Sequence, residues 1–154
     1  MREFLRTGNF GEIRLGDSAE KVREFLGEPT TVGGSTRRYP NSSVWKYGDV
    51  EFHFAQAPQR VWLIFCDSFD ELEIGASALI DRWFFHGHVA CELVERELSA
   101  AEIPFHRLNM PHEPTGYLLR LGSGVELLFS TGIDPLTWPG CPGLFGFKLV
   151  DKEA

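Results

Sequence analysis

No stretch of this 154-residue chain approaches the roughly 18 continuous apolar residues of a membrane-spanning helix, so no span is expected. The opening MREFLRTGNFGE also lacks the apolar run of a signal peptide. Cysteine is scarce: Cys66, Cys91 and Cys141 are odd in number and irregular in spacing, which supplies no disulfide framework. Together these absences predict a reducing, cytoplasmic setting. Positive charge is short as well, with 15 Lys and Arg against 22 Asp and Glu, a net charge of −7. Nucleic acid is therefore excluded as an expected partner, because holding phosphates needs a basic face and the one basic cluster, Arg37–Arg38, lies in a polar loop. A basic protein surface is the better electrostatic match, although net charge also serves plain solubility.

What the chain does have is size and rings. A chain of this length reads as one domain, residues 1–154, able to bury about 70% of its unfolded surface without a metal or disulfide. Its 13 Phe, 4 Trp and 3 Tyr are a heavy aromatic load, and such rings fill a core or anchor an interface.

The stretch IRLGDSAEKVREFLGEP (13–29) encloses a short helix between strong stops. Asp17 is positioned to N-cap it, with Glu20 three residues on. Gly27 suits a left-handed C′ position, and Pro29 forbids continuation. Ala19, Val22, Phe25 and Leu26 share one face at helical spacing. A helix of about nine residues is marginal alone and needs a sheet to pack on.

The pattern recurs when LEIGASALIDRWFFH (72–86) is laid beneath it. Gly16 falls on Gly75, Ser18 on Ser77, Ala19 on Ala78, Arg23 on Arg82 and Phe25 on Phe84. Each copy is followed by a hairpin, SVWKYGDVEFHFA through Gly48-Asp49 and YLLRLGSGVELLF through Gly122-Ser123-Gly124. Each half then supplies a third strand, RVWLIFCD (60–67) and LFGFKLVD (144–151). The reading is thus α+β: two tandem helix-plus-antiparallel-meander units, about 1–70 and 71–154, with helices packed on one face of a curved sheet. A further amphipathic helix is expected within 88–103, ended by Pro104.

The residues Gly16, Ser18, Val22, Leu26, Gly27 and Pro29 resemble the Gly-x-Ser-x-x-x-Val-x-x-x-Leu-Gly-x-Pro signature of outer-membrane assembly lipoproteins of the SmpA/OmlA type. The doubled unit is similar to the β-lactamase-inhibitor-like build. In the second copy only the glycine and serine persist, with Phe85 and His86 where Leu26 and Gly27 stand. The chain also lacks a lipoprotein signal and the paired cysteines of the secreted inhibitors. The resemblance implies a fold and a habit of binding proteins on a sheet face, and names no target.

Chemistry-bearing clusters are few. His86, His88 and Cys91 in FFHGHVAC are weak metal candidates, since zinc sites need three or four such ligands and these three are irregularly spaced. Cys141 in WPGCPG has no base placed beside it, and the acids of CDSFDELE (66–73) read as a linker. No cofactor is expected. The aromatic strands are more informative. In RVWLIFCD, Val61, Leu63 and Phe65 alternate with Trp62, Ile64 and Cys66, so both faces are apolar. Trp45 and Tyr47 share a side, and whether Trp62 joins them depends on register. The expected function is a non-catalytic protein-binding module of inhibitor or immunity type. Its candidate binding residues are Trp45, Tyr47, His53 and Trp62 on the sheet, and Trp138 in a rigid loop. The alternatives are a small-molecule binder or hydrolytic or metal enzyme with a site in the seam between units, and a homodimer burying the sheet face.

Overall fold

In the computed structural model, which describes all residues except 36, 38–42, 57, 70–80, 86–88, 111–115, 131–141 and 152–154, the enclosed helix forms as α2 (Ala19–Leu26). Its N-cap is Ser18 rather than Asp17: the Ser18 hydroxyl accepts from the Lys21 amide at 3.3 Å. Asp17 instead accepts from the Arg14 amide at 3.0 Å and the Lys21 ammonium at 2.8 Å, clamping the turn that leads into the helix. Gly27 leaves at φ 82°, ψ −159°, outside the expected left-handed helical well and in a region open essentially to glycine alone. Ala19, Val22 and Leu26 are buried and Phe25 packs against them from the rim. A preceding helix, α1 (Arg2–Thr7), adds Phe4 and Leu5 to the same core.

The fold is α+β, dominated by an antiparallel sheet with nine strands among the described residues. The strands are β1 (Thr31–Gly33), β2 (Val44–Tyr47), β3 (Val50–Ala55), β4 (Arg60–Cys66), β5 (Val89–Ala90), β6 (Phe105–Asn109), β7 (Tyr117–Leu121), β8 (Glu126–Ser130) and β9 (Gly143–Val150). They lie in the order β1-β2-β3-β4-β9-β8-β7-β6, with β5 paired to one end of β9. Each half of that order is a meander of four strands where the sequence suggests three. The extra members are the edge strands β1 and β6, which lack an apolar alternation and are held by their neighbours' ladders. Gly48, at φ 58°, makes the tight link between β2 and β3, where Tyr47 pairs directly with Val50.

The second helix copy expected over 72–86 is not found where it can be judged. Residues 81–85 are irregular, closed by a Phe85 amide bond to the Arg82 carbonyl, and the rest lies outside the described residues. The helix ahead of the second meander is α3 (Cys91–Ala100), inside the expected 88–103 segment. It buries Cys91, Val94 and Leu98, the same three-then-four spacing as Ala19, Val22 and Leu26 in α2. Val89 precedes it in β5, and Leu93 sits at its margin.

Buried residues of the helices and of alternating strand positions form a single hydrophobic cluster, and the sheet face carrying those positions is here the inner one. Its rows run Trp45–Phe52–Ile64–Leu149 and Tyr47–Val50–Cys66–Phe147–Leu127–Leu119, each neighbour directly paired across strands. Two bulges decide which residues reach that face. Between β3 and β4 the register passes from His53↔Leu63 to Phe54↔Val61, leaving Trp62 as the extra residue. Val61 therefore turns inward with Ile64 and Cys66, and the strict alternation expected for RVWLIFCD is broken. Between β8 and β9 the shift falls between Leu128 and Phe129, leaving Phe145 unpaired in the same way. Where β4 meets β9, a Cβ on Gly146 would come within 2.5 Å of the Cys66 carbonyl oxygen, so the close crossing there requires glycine.

Candidate protein-binding face

The opposite, outer face carries two rows. The first is Lys46–Glu51–Phe65–Lys148–Glu126–Arg120, an unbroken line of paired positions across β2, β3, β4, β9, β8 and β7. Opposite charges facing each other across strands stabilise such a sheet. Lys46 Nζ lies 3.0 Å from Glu51 Oε1. Glu126, buried although charged, accepts from Arg120 at 2.7 and 2.8 Å on Oε1 and faces Lys148 Nζ at 3.2 Å on Oε2. Three cations and two acids thus nearly cancel, with the Phe65 ring at the centre. The second row, Val44–His53–Leu63–Val150, is half-buried throughout.

His53 links the two rows. Its Nε2 lies 2.8 Å from Glu51 Oε2, and its ring meets Trp62 edge-to-face at 6.0 Å. Burial works to raise the Glu51 carboxyl, but hydrogen bonds and positive charge from Lys46 and His53 outweigh it and hold the group below the usual carboxylate range. The bulge that releases Val61 inward is what leaves Trp62 beside His53. Farther along the sheet, Leu118 and Leu128 pair with each other and are buried apart from the main core cluster, with Leu108 completing their row at the edge.

The five expected binding residues do not gather. Trp45 is 6% exposed and Tyr47 1%, both on the inner face. The Trp45 ring meets Phe54 at 4.8 Å and carries the Arg23 guanidinium at 4.7 Å, while the Tyr47 hydroxyl donates to the Gly27 carbonyl at 2.9 Å. These contacts make both rings part of the packing between α2 and the sheet, which removes them from any open surface. His53 and Trp62 share the outer face. Trp138 lies outside the described residues.

The same face also carries Leu63, Phe65, Arg120, Glu126, Lys148 and Val150, which the sequence does not single out as candidates. Arg120 in YLLRL and Glu126 in GVELLF are lone charges inside apolar strands, a signal that both belong to one wet row.

Among the described residues, no group of three His, Cys, Asp or Glu is arranged to hold a metal, and His86, His88 and Cys141 lie outside them. Burial pushes the Cys66 thiol up to about 12 and the Cys91 thiol up to about 11, far from a nucleophilic thiolate. Cys91 faces the buried Tyr117 hydroxyl, itself raised by burial. At the β4–β9 seam the ladder is continuous from Leu63↔Val150 to Cys66↔Phe147. No family model, no curated protein and no solved structure matches this chain.

Proposed function

We propose that this chain is a non-catalytic protein-binding module of inhibitor or immunity type that docks its partner on the outer sheet face. The observation carrying this reading is the half-buried group His53, Trp62, Leu63, Phe65 and Val150, framed by ion pairs that satisfy one another. Large rings and aliphatic side chains at the centre of a patch, with polar groups around them, are the composition of an energetic hot spot. The frame matters as much as the centre. Lys46, Glu51, Arg120, Glu126 and Lys148 are already held by neighbours, so a partner covering them does not strand lone charges. The sequence expectation of a basic partner rests on the net charge of −7, and this face does not carry that surplus. Its complement is an apolar or aromatic side chain set in a mixed polar rim.

In the same reading the architecture is two tandem helix-plus-meander units, with the helices on one side of a shared sheet. Its support is the mirrored strand order, the equal spacing of buried residues in α2 and α3, and a bulge at the same place in each meander. The test is quantitative capture of a native partner with wild type, Trp62→Ala and Val32→Ala. Val32 is exposed at the far edge of β1 and serves as the control. Loss of one stoichiometric partner in Trp62→Ala alone, with an unchanged melting curve, is expected. Equal capture by all three would overturn the reading.

A further inference from the structure

The two ends of the sheet differ. β1 is three residues long and runs into Gly34 at φ 75°, too short and too bent to template another strand. β6 has five residues, no proline and no bulge. The Gly122 amide donates to the Pro104 carbonyl at 3.0 Å and the Met110 amide to the Gly116 carbonyl at 3.2 Å, so the even-numbered residues of this stretch face β7. Antiparallel alternation then turns the N–H and C=O groups of Phe105, Arg107 and Asn109 outward. No described residue bonds to them.

Charge is the usual guard of such an edge, yet Arg107 is drawn aside. Its guanidinium lies 3.8 Å from the Tyr117 ring centroid and 3.8 Å from Glu95 Oε1, on the inner side. On the outer side the leucine row Leu128–Leu118–Leu108 runs straight to the edge and stops there half-buried.

We propose that two copies of this chain pair through this edge, β6 lying antiparallel to β6 of a second copy with Leu108 opposite its own equivalent. The outward groups of Arg107 then bond those of Asn109 in the second copy, and the reverse, while the leucine row continues unbroken across the junction. Neighbouring registers fail. One opposes Arg107 to Arg107, like charges directly across a ladder; the other opposes Asn109 to Asn109 and carries Arg107 past the end of the facing strand, so that a single residue pair exchanges bonds. In the chosen register His106 meets Met110 and no like charges oppose. So short an interface is weak, and pairing is expected in the micromolar range. It uses an edge, not the outer face, and is independent of the function proposed above.

The test is light scattering or sedimentation across a concentration series of the full chain. Wild type should rise from the 17.4 kDa of one chain towards twice that mass. Asn109→Pro removes an outward donor that β7 does not use, and Leu108→Glu sets two charges face to face; both should stay at one chain's mass at the same concentrations. Hydrogen exchange gives a second readout that needs no variant: the Arg107 and Asn109 amides should gain protection with concentration, while those of His106 and Leu108 stay protected throughout. A wild type that remains single at every concentration overturns the proposal. So does a dimer that persists in Asn109→Pro, or one abolished by Trp62→Ala instead, or edge amides whose exchange ignores concentration.

Discussion

Trp45 and Trp62 lie on neighbouring parts of the sheet but on opposite faces, and replacing each with alanine separates a core ring from a surface ring. Trp45 is 6% exposed, directly paired with Phe52, edge-to-face with Phe54 at 4.8 Å and capped by Arg23 at 4.7 Å. Emptying that site removes buried apolar area and leaves a cavity roofed by α2, a change that costs about 3–5 kcal/mol. Against a total stability of about 5–15 kcal/mol this is a large share. For a chain of this length the melting temperature should fall by roughly 6–20 °C. Trp62 is the bulged residue on the outer face, half-exposed and in contact with His53. Its loss removes one partly wet aromatic contact and should cost about 1 kcal/mol. Urea and thermal denaturation of both variants beside wild type decide the matter. A Trp62→Ala variant as damaged as Trp45→Ala would refute the placement of the bulge, and with it the division of the sheet into a core face and an open one.

The Glu51 carboxyl should show itself in acid. Its folded pKa lies below the ordinary 4.5, so the stability it contributes is present above that value and disappears as pH falls through the folded pKa. Melting temperature followed from about pH 5 to 3 should drop more steeply in wild type than in Glu51→Gln, the two curves converging at the acid end; parallel curves would show that Lys46 and His53 do not hold the carboxylate. The thiols bear on the enzyme alternative. In a Cys141→Ser background, a thiol reagent at pH 8 should leave Cys66 and Cys91 unlabelled until the protein unfolds, because burial keeps both protonated. Rapid labelling of either in the native state would contradict their place in the core.

Much of the local structure was legible because it depends on neighbours in sequence. The stops around α2 hold, with the cap moved by one residue to Ser18, where serine and aspartate compete for the same amides and only the path of the preceding turn chooses between them. The Gly48-Asp49 hairpin and the six central strands follow from apolar runs broken at turn residues. The edge strands β1 and β6 were hidden, since their exposed patterns carry no apolar period and their order comes from a neighbour's ladder.

The candidate face was half legible for the same reason. Composition and pattern by themselves determined an aromatic-rich α+β chain with short enclosed helices and antiparallel hairpins. Tertiary structure alone decided that Trp45 and Tyr47 pack with α2 and its cap while Trp62 joins His53. Sidedness in a strand alternates with period two, so a single extra residue at the β3–β4 bulge reassigns every side chain beyond it. That extra residue is specified by pairing between strands, which no reading of one strand contains.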